Sequence, residues 1–340
     1  MKKKIKFSLI GCSTISDKHL KAIDSLSDTC SLVDVCDVDK KKSNEIAHAY
    51  NVSAFYSLDE LIAKSNSDCI IITTPSGLHA EQSIRALQSG FSVLSEKPMA
   101  INLKDSKKML KISNSSENFL FIVKQLRFIE PIQKIKKIID DERLGRLFSL
   151  TVNIFINRSE EYFNNSWKGT KKMDGGALYN QASHFIDLFI WLFGDIEALS
   201  AFNSTLERNI ETEDSSVVNF KFNSGALGTL NTSILAFQKN LENSITILGE
   251  KGTIKISGKF LNKVEEWLLA DEKEDDFKKG QELNYEISHI PIYKNIINTF
   301  EGKEKPFIGS NEAIKSIKFI EACHESQRKK KIISLTDDLS

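Results

Sequence analysis

The 340-residue sequence has no excess charge of either sign, because 46 Lys and Arg residues balance 46 Asp and Glu residues. A neutral chain offers no electrostatic reason to bind nucleic acid or an anionic membrane. No segment approaches the ~18 apolar residues of a membrane helix. The opening "MKKKIKFSLIG" is basic and then apolar, but its apolar run is shorter than the ~7–15 residues of a signal-peptide core. We therefore expect neither a nucleic acid nor a membrane as a partner.

The five cysteines show no pairing pattern. They are odd in number, scattered, and never spaced CxxC. A disulfide framework or a zinc site requires regular cysteine spacing, so both are disfavoured. The sequence predicts reduced thiols in a cytoplasmic protein and no metal site.

The first 125 residues alternate apolar strands with helical patterns, and the chain is long enough for two domains. A helix is predicted over 40–50, and Ser57 opens a short helix with Glu60 completing a capping box. Strands are predicted over 5–11, 31–37, 69–75, 91–98 and 119–125. This βαβαβ order indicates an α/β Rossmann domain, with a doubly wound parallel sheet, over 1–125.

The pattern changes from about Arg127. A helix is predicted over 131–141, and 263–283 is predicted to be a loop or an edge. Long alternating strands follow, some with hairpin turns: 147–157, 196–204, 215–235 and 243–257. They indicate an α+β domain over 126–310 with an open-faced, mostly antiparallel sheet, and a C-terminal helix and tail over 311–340. Because these strands are too apolar to leave in water, we expect a homodimer or homotetramer built through this sheet.

"GCSTIS" (11–16) lies where the first strand enters the first helix, the position of a dinucleotide fingerprint. The pattern G-x-G-x-x-G appears as Gly11, Ser13 and Ser16, so two of the three glycines are missing. Gly11 still permits the tight turn, and Ser16 still permits close packing of helix on strand. A strand–turn–helix of purely structural purpose is the alternative.

Asp37 ends the second strand, 26 residues after Gly11. A carboxylate at this place accepts hydrogen bonds from the adenosine ribose and repels a 2′-phosphate, which favours NAD over NADP. The alternative is an aspartate that caps a turn.

Further candidates follow later strands, since ligands of such sheets lie beyond the carboxyl ends of the strands. "TTPSGLH" places Thr73, Thr74 and Pro75 on the nicotinamide side, while His79 reads more simply as a helix-start histidine. "SEKP" places Lys97 at the next strand end. A half-buried lysine there can share a proton with a substrate hydroxyl, and a solvated surface lysine is the alternative.

"DGGALYNQASHFIDLFIWLFG" (174–194) predicts a buried helix with a polar stripe. Asn180, His184 and Asp187 are spaced by four and three residues, so they share one helical face. A histidine oriented by a second polar group suits a general base. A core histidine satisfied by its neighbours is the alternative.

These motifs occur in one order: "GCSTIS", "VCDVD", "TTPSGLH", "SEKPMA" and the 174–194 helix. Together they resemble the glucose–fructose oxidoreductase / inositol dehydrogenase / rhizopine-catabolism (Gfo/Idh/MocA) family of NAD(P)-dependent oxidoreductases. The resemblance implies a Rossmann domain followed by an open-faced sheet. It also implies that Lys97 and His184 are catalytic. The family usually has Asp at position 180, so Asn180 shifts the acid–base work onto Lys97 and His184.

The resemblance extends the set of candidate contacts. Cofactor contacts are expected from Gly11, Ser13, Thr14, Ile15, Asp37, Thr73, Thr74, Pro75, His79, Glu96, Lys97, Gln125, Trp167 and Lys168. Substrate contacts are expected from Arg158, Tyr162, Asn180, Gln181 and Asp187. Lys168 stands where relatives have Arg, so it keeps the charge and loses the bidentate fork.

Asn180 and its flanking sequence resemble a narrower group within the family. The resemblance implies NAD-dependent oxidation of the C3 hydroxyl of a UDP-N-acetylamino-uronic acid to a ketone, in the synthesis of bacterial surface polysaccharide. It also implies that bound NAD is recycled by a second substrate such as 2-oxoglutarate. Another sugar or cyclitol dehydrogenase, a non-catalytic NAD-binding sensor and an NAD-dependent glycosidase remain alternatives.

Overall fold

The computed structural model describes residues 4–284 and 288–336, and these form two compact units. The first unit takes the described residues within 1–125 and 288–314, and the second takes those within 126–287 and 315–340. The first residues of the basic opening and the end of the predicted tail lie outside the described residues. No helix in the described part of the chain is long and apolar enough to cross a membrane.

The first unit contains a parallel sheet with strand order β3-β2-β1-β4-β5-β6. Its strands are β1 (Ile5–Ile10), β2 (Cys30–Cys36), β3 (Ser53–Phe55), β4 (Cys69–Ile72), β5 (Ser92–Ser95) and β6 (Leu120–Ile122). β4 and β5 are buried along their whole length, as expected of strands covered on both faces. The predicted doubly wound sheet is confirmed, and β3 is the strand that the sequence did not predict.

Helices connect these strands: α1 (Ser16–Ser25), α2 (Lys40–Tyr50), α3 (Leu58–Lys64), α4 (His79–Gln88) and α5 (Leu103–Ser115). The predicted cap of α3 is present, because the Glu60 N–H donates to Ser57 Oγ at 3.2 Å. The Glu60 carboxylate accepts from the N–H of Tyr56 rather than from that of Ser57, so the capping box closes one residue earlier than predicted.

The second unit contains a sheet with strand order β13-β12-β11-β7-β10-β9-β8-β14. Its strands are β7 (Leu147–Phe155), β8 (Ile196–Ser204), β9 (Ser215–Phe222), β10 (Leu227–Ser233), β11 (Glu242–Gly249), β12 (Gly252–Ser257), β13 (Lys263–Leu269) and β14 (Ile333–Ser334). The pairs are antiparallel except β7 with β10, so the mostly antiparallel sheet is confirmed. β13 lies at an edge, which agrees with one of the two readings of 263–283.

The remaining helices are α6 (Glu130–Asp140), α7 (Ser183–Phe193), α8 (Ile290–Phe300) and α9 (Ser310–Lys329). In the second unit an aromatic cluster joins α7 and α9 to the sheet. Phe189 stacks on Phe220 with ring centroids 4.8 Å apart, and Phe319 meets both rings edge-on. These rings form the core that covers the inner face of the sheet.

The outer face of this sheet is more polar than the strand sequences suggest. Thr151 accepts from Thr229, and Asn153 accepts from Asn231 at 2.9 Å, so a polar ladder runs across the middle. In β9 the side chains of Val218, Phe220 and Phe222 point inward, while Val217 is exposed next to Asn231. The outer face therefore combines polar and apolar side chains, and its covering by a second copy stays a prediction.

The segment 288–314 belongs to the first unit, whereas the sequence placed 288–310 with the second domain and 311–314 with the C-terminal helix. Tyr293 of α8 is buried against Phe7 of β1, with ring centroids 5.1 Å apart, and it contacts His19 of α1. α8 thus covers the Rossmann sheet with its own apolar face.

Candidate active site

The turn after β1 requires the glycine that occupies it. Gly11 has φ +100°, and a Cβ atom there would lie 2.7–2.9 Å from backbone atoms of Thr73 and Thr74. Ser16 is buried, which confirms close packing at the third fingerprint position. Ser13 and Thr14 are exposed and Ile15 is partly exposed, so the turn itself is open to a ligand.

Asp37 holds this turn from the neighbouring strand. One carboxylate oxygen accepts the N–H of Cys12 at 2.7 Å, and the other accepts the N–H of Asp39 at 2.8 Å. Each carboxylate oxygen has a further lone pair, so these bonds leave acceptor capacity for ribose hydroxyls. Both readings of Asp37, a turn cap and a ribose acceptor, are compatible with this geometry.

The segment after β4 is tied down by its own side chains. The Thr73 hydroxyl is buried and shares its proton between the carbonyls of Ile10 and Gly11, so this side chain is committed to the turn after β1. Thr74 Oγ1 donates to Gln82 at 2.6 Å. His79 is buried, and its two ring nitrogens lie 2.8 Å from the carbonyls of Thr74 and Pro98. This placement favours the structural reading of His79 over a contact with the cofactor.

Glu96 is directed into the interior of the first unit, away from the predicted contact with the cofactor. It is 5% exposed, and its Oε1 accepts from His19 and His289. The other oxygen accepts the N–H of Lys97 at 3.1 Å. Lys97 itself is half-buried.

The predicted residues share one edge of the parallel sheet. Gly11, Asp37, Thr73, Lys97 and Gln125 follow the carboxyl ends of β1, β2, β4, β5 and β6 in that order. A cleft beside the first of them is lined by Cys12, Ser13, Thr14, Ser16, Asp17, Lys42 and Ile46. The open glycine turn and the carboxylate with spare acceptors fit the pyrophosphate and ribose of a dinucleotide.

The predicted helix of the second unit begins with a wider turn. Leu178–Ala182 is π-helical, and α7 starts at Ser183. Between 178 and 190, only Asn180, Gln181 and His184 are partly exposed, so these three form the open stripe of an otherwise buried helix. π-helical turns recur at functional sites, and the sequence did not predict this one.

Two acidic residues that the sequence did not single out shape the start of this helix. Asp174 accepts from the Asn180 side chain and from the N–H of Gly169, the latter at 2.8 Å. Glu213 accepts the N–H of Leu178 at 2.9 Å. A carboxylate at this place is also stabilised by the partial positive charge at the N-terminal end of a helix. Gly176 has φ +106°, and a Cβ there would lie 2.4–2.6 Å from the Glu213 carboxylate.

Asp187 lies below the open stripe and not on it. It is 3% exposed, and both of its oxygens accept from Arg127, at 2.7 and 2.8 Å. The Arg127 guanidinium also lies 5.1 Å from the centroid of the Trp191 ring. This buried ion pair favours a positioning role for Asp187 over the predicted contact with substrate.

Two cations meet one aromatic ring next to the stripe. Lys168 Nζ lies 3.8 Å, and the Arg158 guanidinium 5.2 Å, from the centroid of the Tyr162 ring. Arg158 donates to Gln181 Oε1 at 3.3 Å. Burial lowers the pKa of Lys168, the nearby charge of Asp174 opposes this shift, and the Arg158 charge adds to it. Trp167 is half-buried beside this group.

A small cleft connects these features within the second unit. It is lined by Tyr162, Phe163, Asp174, Gly176, Ala177, Asn180, Gln181, Ile210, Thr212, Glu213 and Ile234. Amide, carboxylate and aromatic groups thus converge beside the open stripe.

Family comparisons agree with this architecture. The model described as "Oxidoreductase family, NAD-binding Rossmann fold" matches residues 5–124, and the "GFO/IDH/MocA C-terminal domain" model matches residues 132–255. The chain belongs to the Gfo/Idh/MocA family of oxidoreductases, and its first domain is an NAD-binding Rossmann domain.

Two solved structures are similar over the whole chain. The WlbA dehydrogenase from Bordetella pertussis, in complex with NADH and UDP-GlcNAcA, is 39% identical with a TM-score of 0.93, covering 98% of this chain and 99% of that chain. The WlbA dehydrogenase from Chromobacterium violaceum, with the same two ligands, is 37% identical with a TM-score of 0.93, covering 99% and 98%. Among curated proteins, the 2,7-anhydro-N-acetylneuraminate hydratase of Escherichia coli (strain K12) is 28% identical, covering 72% of this chain and 68% of its own length.

Proposed function

We propose that this protein oxidises the C3 hydroxyl of a UDP-N-acetylamino-uronic acid, such as UDP-GlcNAcA, with NAD⁺. The observation that carries the proposal is the whole-chain similarity, at 37–39% identity, to two dehydrogenases solved with NADH and UDP-GlcNAcA. The cation pair around Tyr162 and the open polar stripe of the helix support it, because they suit an anionic sugar.

NAD would be held by the sheet edge of the first unit. The Gly11 turn leaves room for the pyrophosphate, and Asp37 offers acceptors to the adenosine ribose while repelling a 2′-phosphate. When bound, NAD⁺ supplies the acceptor for the hydride that leaves the sugar. Thr74, Pro75, Gln125 and Trp167 stay predicted contacts of this cofactor.

Proton transfer is assigned to His184, with Lys97 in support. His184 lies on the open stripe, so it is available to take the proton of a substrate hydroxyl as general base. Lys97 would donate a hydrogen bond to the same oxygen and stabilise its developing negative charge. Asn180 has no titratable group, so it would orient the sugar by hydrogen bonds from a side chain that Asp174 holds in place.

Substrate charge would be read by the cation pair. Arg158 is anchored through Gln181 and lies against Tyr162 beside Lys168, and a guanidinium can bind a carboxylate through two parallel hydrogen bonds. We therefore assign recognition of the uronate carboxylate to Arg158 and Lys168.

A product assay tests the proposal. The protein is incubated with NAD⁺ and either UDP-GlcNAcA, UDP-GlcNAc or free inositol, and products are identified by mass spectrometry. We expect NADH and a sugar lacking two hydrogens with UDP-GlcNAcA, and much slower turnover with the neutral substrates. A preference for a free sugar or cyclitol would contradict the proposal in favour of another dehydrogenase. Release of free sugar would favour a glycosidase, and NAD binding with no turnover would favour a sensor.

Substitutions test the two catalytic assignments. His184→Asn and Lys97→Ala should each reduce turnover by at least ~10²-fold, the lower range for acid–base catalysis, with little change in NAD affinity. His48→Asn, at an exposed histidine of α2, is the matched control. Near-normal turnover in both site variants would overturn the assignment.

We further propose that a second copy of this chain covers the outer face of the eight-stranded sheet, giving a homodimer that can pair into a tetramer. Phe202 is 74% and Val217 48% exposed, and they are direct neighbours in the pairing of β8 with β9. Their position beside the Asn153–Asn231 ladder supports a flat face that mixes apolar and hydrogen-bonding groups.

The setting of the reaction is proposed from chemistry alone. A 3-keto amino sugar is a substrate for transamination, which fits the synthesis of surface polysaccharide. NAD recycling by 2-oxoglutarate remains a proposal, tested by whether a 2-oxo acid sustains many turnovers on catalytic NAD. The five cysteines are unpaired and buried, which supports work in a reducing compartment such as the cytoplasm.

A further inference from the structure

Three buried titratable side chains from separate elements converge inside the first unit. His19 of α1 and His289, which precedes α8, place Nε2 3.2 and 3.3 Å from the same oxygen of Glu96. On its other side His19 lies 2.9 Å from the Tyr293 hydroxyl. We call His19, Glu96, His289 and Tyr293 the Glu96 cluster.

The partners assign every proton in this cluster. Glu96 is an acceptor, so both histidines must carry a proton on Nε2. His19 then presents a lone pair at Nδ1, which accepts the Tyr293 hydroxyl proton. Among the described residues His289 Nδ1 has no hydrogen-bond partner, so a second proton there would be buried without an acceptor.

The charge state follows from this assignment. Burial disfavours the ionised Glu96, but the hydrogen bonds from the two histidines outweigh it and hold the pKa of this carboxyl well below its ordinary value. Burial lowers the pKa of His19, although Glu96 opposes the shift. The Glu96 cluster therefore holds one buried carboxylate that accepts hydrogen bonds from two imidazoles.

Glu96, the central residue of the cluster, directly precedes Lys97 in the sequence. The second oxygen of Glu96 accepts the Lys97 N–H at 3.1 Å. The carboxylate that His19 and His289 hold in place therefore also fixes the backbone from which the Lys97 side chain projects. We propose that Glu96 is a positioning residue for Lys97, with His19 and His289 as its supports. The inference rests on the catalytic role proposed above for Lys97.

A metal ion is the competing occupant of the same three ligand atoms. The three atoms lie within 4.8 Å of one another, a spacing that a cation can also bridge. The hydrogen-bonded arrangement already satisfies the Glu96 carboxylate, and it accounts for the Tyr293 contact as well. Elemental analysis of the purified wild-type protein decides between them, because one equivalent of bound transition metal would overturn the hydrogen-bonded cluster.

The central experiment compares Glu96→Gln with Glu60→Gln. In one orientation the introduced side-chain amide turns its N–H donors toward the Lys97 N–H, which is also a donor. In the other orientation they face the imidazoles, which can accept only by moving their protons to Nδ1, where His289 has no acceptor among the described residues. Since small displacements of a catalytic group reduce rate by up to ~10²-fold, we expect kcat to fall at least ~10-fold while NAD affinity and KM stay within ~3-fold. Glu60 also accepts a backbone N–H in the first unit, remote from the cluster, so Glu60→Gln should leave all three unchanged.

A rescue pair separates positioning from mere stability. His19→Gln keeps an N–H donor for Glu96, whereas His19→Leu removes it, so kcat per folded molecule should be higher in His19→Gln. This pair also carries the test if Glu96→Gln does not fold. Lower stability with unchanged kcat per folded molecule would overturn the proposal, as would equal kcat in the two His19 variants.

A readout independent of turnover keeps this inference separate from the proposed function. Hydrogen exchange of the Lys97 amide, followed on peptides spanning 95–99, should be faster in Glu96→Gln than in wild type and Glu60→Gln. Unchanged exchange would overturn the inference. If wild type does not oxidise UDP-GlcNAcA, the proposed function fails, and the exchange result still decides whether Glu96 holds Lys97.

Discussion

Replacing Gly11 by alanine tests the cofactor turn, and Gly90→Ala is its matched control. Both glycines lie in the first unit at positive φ, +100° for Gly11 and +89° for Gly90. A Cβ at Gly11 would lie 2.7–2.9 Å from the backbone of Thr73 and Thr74, whereas a Cβ at Gly90 would meet nothing within 4 Å. The two variants thus have nearly the same backbone strain, and they differ in whether the new Cβ atom overlaps neighbouring backbone atoms.

The expected magnitudes follow from these two terms. Backbone strain from a Cβ at positive φ destabilises each variant by about 1–2 kcal/mol. The Gly11 variant adds overpacking against backbone that cannot rotate away, about 1–3 kcal/mol more. Because the N–H of Cys12 binds Asp37, a shifted turn also moves the ribose acceptor, and we expect NAD affinity to fall by at least ~10-fold, or about 1.4 kcal/mol.

The assay must report on the first unit. All three tryptophans, Trp167, Trp191 and Trp267, lie in the second unit, so their fluorescence does not follow the change. Hydrogen exchange of β1 and β4 measures local stability, and calorimetric titration measures NAD affinity. Equal destabilisation of the two variants, or unchanged NAD affinity in Gly11→Ala, would refute the reasoning.

Three further predictions concern the second unit. Arg158→Met should raise the KM for UDP-GlcNAcA by ~10–10²-fold, the range expected for one lost charge-assisted hydrogen bond, and leave the KM for NAD⁺ unchanged. A KM for UDP-GlcNAcA equal to that of wild type would contradict the role assigned to Arg158. Burial disfavours the charged form of His324, but the hydrogen bond and charge of Glu213 outweigh burial and raise the pKa of His324 above 6.5. The stability that the His324–Glu213 pair adds is therefore complete below pH 6.5 and is lost as the pH rises through the raised pKa. Urea unfolding followed by tryptophan fluorescence should show His324→Gln losing more stability at about pH 6 than at about pH 9, and an equal loss would contradict the pairing. Burial disfavours the ionised form of Asp276, but Arg143 outweighs burial and lowers the pKa of Asp276 from 3.8 to about 2. Asp276→Asn should therefore lower the free energy of unfolding by about 2 kcal/mol at neutral pH, and this difference should disappear as the pH falls toward 2.

Assembly gives a prediction of its own. Phe202→Glu places a charge at the exposed apolar border of the outer sheet face, so it should shift the protein toward monomer in light-scattering measurements. Leu206→Glu, at an exposed apolar residue between β8 and β9 and outside the strands of the sheet, is a matched control for added charge. A wild-type monomer, or a Phe202→Glu oligomer equal to wild type, would contradict the proposed interface.

The sheet of the first unit was predictable because its strands are continuous apolar runs between helical patterns. β4 and β5 are buried throughout, and such strands stand out in sequence. β3 escaped prediction because it has three residues and none is fully buried. α8 was missed for another reason: its partners, Phe7 and His19, are almost three hundred residues away, so nothing local marks where it packs.

Part of the site was also predictable. Gly11, Asp37 and Lys97 follow strand ends, and topology alone brings such positions to one edge. The helix stripe was predicted for Asn180 and His184, but Asp187 turned out to be buried against Arg127. That ion pair joins residues 60 apart, and sequence spacing carries no sign of it.

The carboxylates of Asp174 and Glu213 were missed because acidic residues in loops usually indicate solvent exposure. Both are buried: Glu213 accepts the N–H of Leu178 at the start of the π-helical turn, and Asp174 accepts the N–H of Gly169 and the side chain of Asn180. Gly176 is a local signal, because its positive φ and the Glu213 carboxylate beside it leave no room for a Cβ atom.

The most direct test of the proposed reaction uses UDP-GlcNAcA that carries deuterium at C3 of the sugar. The account predicts that the deuterium moves to the nicotinamide ring of NAD, that the product is the 3-keto sugar, and that His184→Asn slows the formation of both by at least ~10²-fold. Deuterium retained in the sugar while NADH forms, or transfer from any other carbon, would contradict the central claim.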